Sequence, residues 1–188
     1  ILNQFSLSEY NGYIRAAATT GQWGRWWMEE PEPMNNHVYV MAESVGEDGV
    51  AMLTTVGHVG DIAPTERIWS SRFVGDEGYL VTFRQIDPLW TIDLSNPENP
   101  EIKGELEVPG VSTYIHSLKD EQEGFLLTIG FGGNGEGLDW NTQVSLFDVT
   151  NFSNPLLASA LPMAQQEGAG WHYAWSEANY EHKAFQYW

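Results

Sequence analysis

The chain contains one pattern of short strand-like segments twice. The segment GYLVTF, which begins at Gly78, returns as GFLLTI from Gly124. A second segment, which reaches Asp93, returns at Asp148, and this interval is longer because about nine extra residues lie inside the second copy. Self-similarity at a period of roughly 40–50 residues, built from strand-like segments, predicts β-propeller blades of four strands each.

The outermost predicted strand of the blade supports this repeat. In residues 101–108, apolar residues alternate with charged ones, which is typical of a strand with one buried face. The shift that carries Asp93 onto Asp148 also brings this apolar set onto apolar residues: Ile102, Leu106 and Val108 correspond to Leu157, Leu161 and Met163. The four strands of a blade are called a to d in chain order below.

The sequence therefore predicts an all-β fold, a β-propeller of about three and a half four-stranded antiparallel blades. The predicted blades span residues 1–57, 58–110 and 111–164, with a half blade at 165–188 whose two strands begin at His172 and Lys183. A propeller typically needs four to eight blades to close. We expect the remaining blades to come from a longer polypeptide or from another chain.

Charge and the lengths of the apolar runs argue against two classes of partner. The chain has 26 acidic and 8 basic residues and a net charge of −18, whereas nucleic-acid binding needs basic residues that displace counterions. No apolar run approaches the ~18 residues of a membrane-spanning helix, so membrane insertion is not expected either. The chain has no cysteine, which removes disulfides and thiolate chemistry.

Three long stretches resemble a known family. They are NQFSLSEYNGYIRAAATT, ERIWSSRFVGDEGYLVTFRQIDPLWTIDLSNPENPEIKGELEVPGVSTYIHSL and SLFDVTNFSNP. They are similar to bacterial and archaeal secreted proteins with a C-terminal β-propeller distantly related to WD-40 repeats. The resemblance implies a secreted, periplasmic or cell-surface location and a longer chain, but it implies no catalytic residue. A tryptophan-rich insertion near residues 22–36 departs from the family.

The candidate ligand surface is the face on which the b–c and d–a loops of all blades emerge, since loops that grow by insertion on one face of a repeat protein often bind ligands. Two b–c connections, near residues 22–30 and 131–141, are expanded and carry tryptophan and acidic residues. Tryptophan faces suit sugar rings or cationic side chains, or alternatively pack to hold the loops in place. The candidate ligand-binding residues are Trp23, Trp26, Trp27, Trp140, Asp87 and His116.

Two of these candidates have a plain structural alternative. Asp87 precedes Pro88 in the predicted b–c turn of the second blade, where an aspartate commonly starts a turn. His116 lies in a predicted inner strand, where a hydrogen-bonded structural histidine is the alternative to a channel-facing one. The five histidines are dispersed in the sequence and predict no zinc site.

A calcium site is the one cofactor that the sequence suggests. Asn134, Glu136 and Asp139 alternate with glycines that would let backbone carbonyls approach a cation, and Ca²⁺ takes six to eight oxygen ligands. The spacing does not match an EF-hand loop. A glycine-rich loop without metal is the alternative.

No catalytic motif is present, neither a nucleophile elbow nor a phosphate-binding glycine loop. The leading hypothesis is an extracytoplasmic binding or scaffolding propeller without catalytic activity of its own. The alternatives are a glycan-directed hydrolase with carboxylates at the channel mouth, and a purely structural module of a larger surface protein. Carboxylates that share a pocket and have raised pKa values would favour the hydrolase.

Overall fold

The computed structural model describes residues 1–21, 32–83, 87–118, 123–133, 138–164 and 174–186. Within these ranges the chain forms three antiparallel sheets, each of four strands that are consecutive in sequence. The first sheet contains β1 (Leu7–Tyr10), β2 (Tyr13–Thr20), β3 (Asn35–Val45) and β4 (Ala51–Ile62). The second contains β5 (Arg67–Val74), β6 (Glu77–Phe83), β7 (Asp87–Asp93) and β8 (Glu101–Val108). The third contains β9 (Val111–Ser117), β10 (Phe125–Gly133), β11 (Leu138–Asp148) and β12 (Leu156–Pro162). The predicted all-β class and the four-stranded blade are confirmed.

The blades begin and end close to the positions that the repeat indicates, with one shift. Strand β4 continues to Ile62, past the predicted end of the first blade at residue 57. The second and third sheets lie within residues 58–110 and 111–164. A short 3₁₀ helix, Gln4–Ser6, precedes the first sheet.

The predicted strands of a fourth half blade are wrong within residues 174–186. This segment forms two 3₁₀ helices instead, Glu177–Asn179 and His182–Ala184. The side chain of Ser176 accepts a hydrogen bond from the backbone N–H two residues later, and the side chain of Glu181 does the same. These local hydrogen bonds satisfy backbone groups that a strand would offer to a neighbouring strand, and they favour turns.

Alternating burial along β3 explains how the first two sheets pack. Val38 and Val40 are buried, whereas His37 and Tyr39 are only partly covered. Both valines join a cluster with Ile62, Ile68 and Leu80 that holds the first sheet against the second. A second cluster joins the second and third sheets, and its members include Tyr79, Leu89, Phe131 and Phe147.

One contact between neighbouring sheets is repeated, and it depends on glycine. Gly57 of β4 and Gly104 of β8 each lie against the c–d turn of the next sheet. A Cβ at Gly57 would overlap the carbonyl oxygen of Pro97, and a Cβ at Gly104 would lie 2.8 Å from the carbonyl oxygen of Phe152. Pro97 and Phe152 occupy the same position of the c–d turn in successive blades, so the same packing contact occurs twice. At these two places a side chain would keep the blades apart.

Gly104→Ala is therefore expected to lower the free energy of unfolding by about 1–3 kcal/mol, because the added methyl overpacks the contact with the next sheet. The matched control is Ser159→Ala, since Ser159 occupies the position of Gly104 in the following blade and is exposed. The control should change stability by less than about 0.5 kcal/mol. Urea denaturation measures both variants, and equal stability of the two would show that the contact tolerates a methyl.

Candidate functional site at the loop end of the first sheet

Two histidines and a tyrosine meet at the end of the first sheet from which the b–c and d–a connections leave. Alternation along β3 places His37 and Tyr39 on the face opposite the buried valines. His58 comes from the neighbouring strand β4, where its Cα is paired with that of Tyr39. The face that carries these rings is turned away from the second sheet, because the other face holds the packing cluster. We call His37, Tyr39 and His58 the imidazole cluster.

The rings of the imidazole cluster hold one another in place. His37 Nδ1 lies 3.1 Å from His58 Nε2, and His37 Nε2 lies 2.8 Å from Thr20 Oγ1. The ring of His58 is stacked on that of Tyr39, with centroids 4.6 Å apart and planes inclined by 23°. Both nitrogens of His37 are thus engaged, and the orientation of both imidazoles is set by neighbours.

The turn that follows β4 places an acidic side chain beside the cluster. Asp61 Oδ1 accepts a hydrogen bond from Asn35 Nδ2 at 2.6 Å. Asp61, Ala63 and Thr65 all have positive φ angles (56°, 45° and 76°), which non-glycine residues rarely adopt. Such conformations persist only where surrounding contacts enforce them.

The contacts that enforce this turn converge on Asn36, whose side chain is fully buried on the opposite face of β3. Its Nδ2 donates to the carbonyl oxygens of Ile62 at 2.9 Å and Glu66 at 3.2 Å. Its Oδ1 accepts from Thr19 Oγ1 at 2.6 Å. Thr19 Oγ1 also accepts from the backbone N–H of Ile68, at 3.3 Å, which extends the network to the second sheet. Asn36 therefore holds the turn through hydrogen bonds on one face of β3, and the imidazole cluster lies on the other face.

The pKa of His37 is lowered from its ordinary value, first by burial and second by the charge of His58, while Asp61 acts in the opposite direction. Burial disfavours the charged form of an imidazole, and a neighbouring positive charge does the same. The fold therefore favours the neutral form of His37.

This shift predicts a loss of stability in mild acid. Because the folded state binds the proton of His37 less readily than the unfolded chain, stability is fully present above about pH 6.5 and is lost as pH falls through the lowered pKa. Urea denaturation at pH 7.5 and pH 5.5 measures this loss. His37→Gln should reduce it, and an unchanged loss in that variant would show that other groups cause it.

Most of the predicted site residues lie outside the part of the chain that the structure describes. Trp23, Trp26, Trp27, Asn134 and Glu136 belong to this group. Trp140 and Asp139 belong to β11, but the structure describes only their backbone. The proposed tryptophan platform and calcium site therefore stay predictions.

Two predictions about backbone position are wrong. Asp87 does not lie in a turn but is the first residue of β7, where its Cα is paired with that of Val108. The expanded loop predicted at 131–141 is mostly strand, because β10 reaches Gly133 and β11 begins at Leu138, and these two residues are paired. The second copy thus has longer strands. Hydrogen bonds between β10 and β11 satisfy backbone N–H and C=O groups that would need other partners in a loop.

His116 lies in β9, in the third sheet, and not in the imidazole cluster. Its ring packs against Phe185 of the C-terminal segment, with centroids 5.5 Å apart, and its Nδ1 lies 3.5 Å from Tyr114 Oη. Phe185 also packs against Tyr114, at 5.3 Å. His116 is therefore partly buried and contacts two aromatic rings.

Among the described residues, no group of three or more His, Asp or Glu side chains is arranged to hold a metal ion. In the same part of the chain, no helix has the length and apolar character needed to cross a membrane.

Sequence reasoning missed the imidazole cluster because His37 and His58 are distant in sequence and His58 lies past the predicted end of the first blade at residue 57. The signal that could have found them is the hairpin between strands c and d. Pairing those strands places the two histidines near each other, but the register shifts twice between β3 and β4, and the sequence does not mark those shifts.

The fold and its repeated contact between sheets define a β-propeller type of repeat protein. The chain belongs to the family described as the beta propeller domain, whose model matches residues 1–188. It is 38% identical over 155 residues to the uncharacterized protein MJ1554 of Methanocaldococcus jannaschii, which covers 82% of this chain and 22% of that protein. It is also 38% identical over 185 residues to an uncharacterized protein of Archaeoglobus fulgidus, which covers 98% of this chain and 24% of that protein. The chain thus spans about a quarter of the length of these relatives. The propeller part of the family resemblance is confirmed.

Proposed function

We propose that this chain is part of a binding propeller without catalytic activity of its own, and that its ligand contacts the loop end of the first sheet. The observation that carries the proposal is the imidazole cluster, which places ordered aromatic rings beside the polar side chains of Thr20, Asn35 and Asp61 at that end. Aromatic rings beside hydrogen-bonding groups suit the apolar faces and hydroxyls of a sugar. A glycan is therefore the ligand class that we propose.

The test is binding to a microarray of soluble oligosaccharides, followed by titration of the best binder. Tyr39→Ala should weaken binding about fivefold, since one aromatic contact contributes of the order of 1 kcal/mol. The matched control is Tyr180→Ala, a tyrosine that is 66% exposed and packs against the third sheet, at Phe131. Absence of binding to every oligosaccharide, or equal loss in both variants, would contradict the proposal.

We propose further blades, from the same polypeptide or from another chain, as partners that cover the outer face of the third sheet. Leu156, Leu161 and Met163 in and after β12 are 53%, 54% and 47% exposed. Ser159 lies where the repeat would place the next copy of the glycine contact. A native mass above the 21.2 kDa of one chain is the expected result in light scattering, and a stable monomer of that mass would contradict it.

An extracytoplasmic location is proposed as well. The support is the family resemblance together with the net charge of −18, which keeps a protein soluble in the presence of salt. Fractionation of cells that express the full-length relative tests it, and recovery in the cytoplasmic fraction alone would contradict it.

Hydrolysis of a glycan is the second candidate function, because three glutamates lie close together at the same end of the second sheet. Burial raises the pKa of Glu105, and the nearby carboxylates of Glu107 and Glu66 raise it further. Thr82 Oγ1 donates to Glu66 Oε2 at 2.7 Å. A carboxyl group with a raised pKa beside an ionised one is the pair that a glycosidase uses. Release of reducing sugar from an oligosaccharide, abolished by Glu105→Gln, would replace the binding proposal with this one.

A further inference from the structure

The geometry points to a transition-metal site in which His37 Nδ1 and His58 Nε2 are the two protein ligands. This inference deepens the proposed function, since it assigns a cation to the same cluster. The chemical class is a divalent ion that prefers imidazole nitrogen, such as Cu²⁺, Ni²⁺ or Zn²⁺. Water, or an atom of the glycan, would complete the coordination.

The separation of the two nitrogens is the first observation that supports the site. His37 Nδ1 and His58 Nε2 lie 3.1 Å apart. Two ligands that each lie about 2.1 Å from one ion are separated by roughly 3.0 Å at a right angle and 3.4 Å at the tetrahedral angle. The contact is a hydrogen bond in which one nitrogen carries the proton. A cation can replace that proton when the ring of His58 carries its hydrogen on Nδ1, which leaves a lone pair on each of the two nitrogens.

The second observation is the hydrogen bond on the far side of His37. When Nε2–H donates to Thr20 Oγ1, across 2.8 Å, the proton of the neutral ring resides on Nε2 and the lone pair on Nδ1. A histidine that ligates a metal usually donates its other N–H in this way, which fixes both tautomer and ring orientation. Stacking on Tyr39 orients the ring of His58 in the same manner.

The third observation is the space that Gly60 leaves. A Cβ at this position would lie 2.7 Å from His37 Nδ1 and 3.0 Å from His58 Cε1. Any larger residue would therefore press on the two rings at the point where they converge. Asp61, the next residue, adds a negative charge that acts on His37 and favours a cation nearby.

The test is titration of the chain with Cu²⁺ at pH 7.5, followed by calorimetry and by electron paramagnetic resonance. We expect one equivalent to bind with a signal that shows two nitrogen ligands, and we expect His58→Gln and His37→Gln each to weaken binding at least about tenfold. The matched control is His182→Gln, which alters an imidazole in the C-terminal segment and should leave the affinity unchanged. Circular dichroism confirms that each variant is folded.

Equal affinity in His58→Gln and the unaltered chain, or a signal without two nitrogens, would overturn the metal site. The two proposals fail separately. Glycan binding that is lost in Tyr39→Ala but unaffected by chelation would keep the proposed function and remove the metal from it. Stoichiometric Cu²⁺ binding without any glycan binding would keep the metal site alone.

Discussion

Replacing Asn36 with alanine should lower the free energy of unfolding by about 2–4 kcal/mol, although the side chain touches no ligand candidate. The substitution leaves the carbonyl oxygens of Ile62 and Glu66 and the hydroxyl of Thr19 without their partner in a buried place. Each unsatisfied buried group costs about 1–3 kcal/mol, and members of one network are rarely independent. Urea denaturation measures the effect.

The matched control for this prediction is Asn99→Ala. Asn99 is exposed and donates to Glu101 Oε1 at 2.7 Å, so its loss should change stability by less than about 0.5 kcal/mol. Because the turn at Asp61 relies on Asn36, the unfolding experiment should be paired with the Cu²⁺ titration. A folded Asn36→Ala variant whose stability equals that of the unaltered chain would show that water replaces the amide in this network.

The order of the strands could be predicted from the sequence because each blade repeats its pattern of apolar residues. The alternation in the sequence of β8 reappears in β12, although the two strands are buried differently: Val108 is 9% exposed, whereas its counterpart Met163 is 47% exposed. Where the pattern of apolar residues is produced by packing, copying the pattern copies the structure. The same reasoning placed Gly78 and Gly124 at the start of the second strand, within one residue of where β6 and β10 begin.

The same reasoning failed in the C-terminal segment because the residue types there do not show whether the backbone pairs with a neighbouring strand. The repeat predicted two strands there, which begin at His172 and Lys183. Ser176 instead accepts a hydrogen bond from the N–H of Ala178, and the chain turns. A serine in a strand and a serine before a 3₁₀ turn look alike in sequence.

The candidate site was beyond sequence reasoning for a different reason. It depends on a shifted register between β3 and β4, on positive φ angles at Asp61 and Ala63, and on the missing side chain of Gly60. Each of these is a property of the folded backbone. A pattern of residue types predicts which face of a strand is buried, but it does not predict where a strand is irregular.

Arg15 is expected to stabilise the contact between the first sheet and the second. Arg15 belongs to β2 and is only 4% exposed. Its guanidinium donates to the carbonyl oxygen of Gly75, in the turn between β5 and β6, and to Ser8 Oγ at 2.7 Å. It also lies over the rings of Tyr10 and Phe73, at 5.1 and 5.4 Å from their centroids.

Arg15→Met should lower the free energy of unfolding by about 2–4 kcal/mol in urea denaturation. Methionine keeps the apolar stem but removes the hydrogen bond to Gly75, which crosses to the second sheet, and the hydrogen bond to Ser8 within the first sheet. Arg67→Met, at an exposed arginine over Trp69, is the matched control and should cost less than about 1 kcal/mol. Arg15→Lys should recover less than half of the loss, since an ammonium lacks the planar fork that reaches two acceptors and stacks on rings. Burial lowers the pKa of Arg15, so desolvation of its charge opposes these contacts. Unchanged stability in Arg15→Met would therefore mean that the two effects cancel and that the other contacts between the sheets are sufficient.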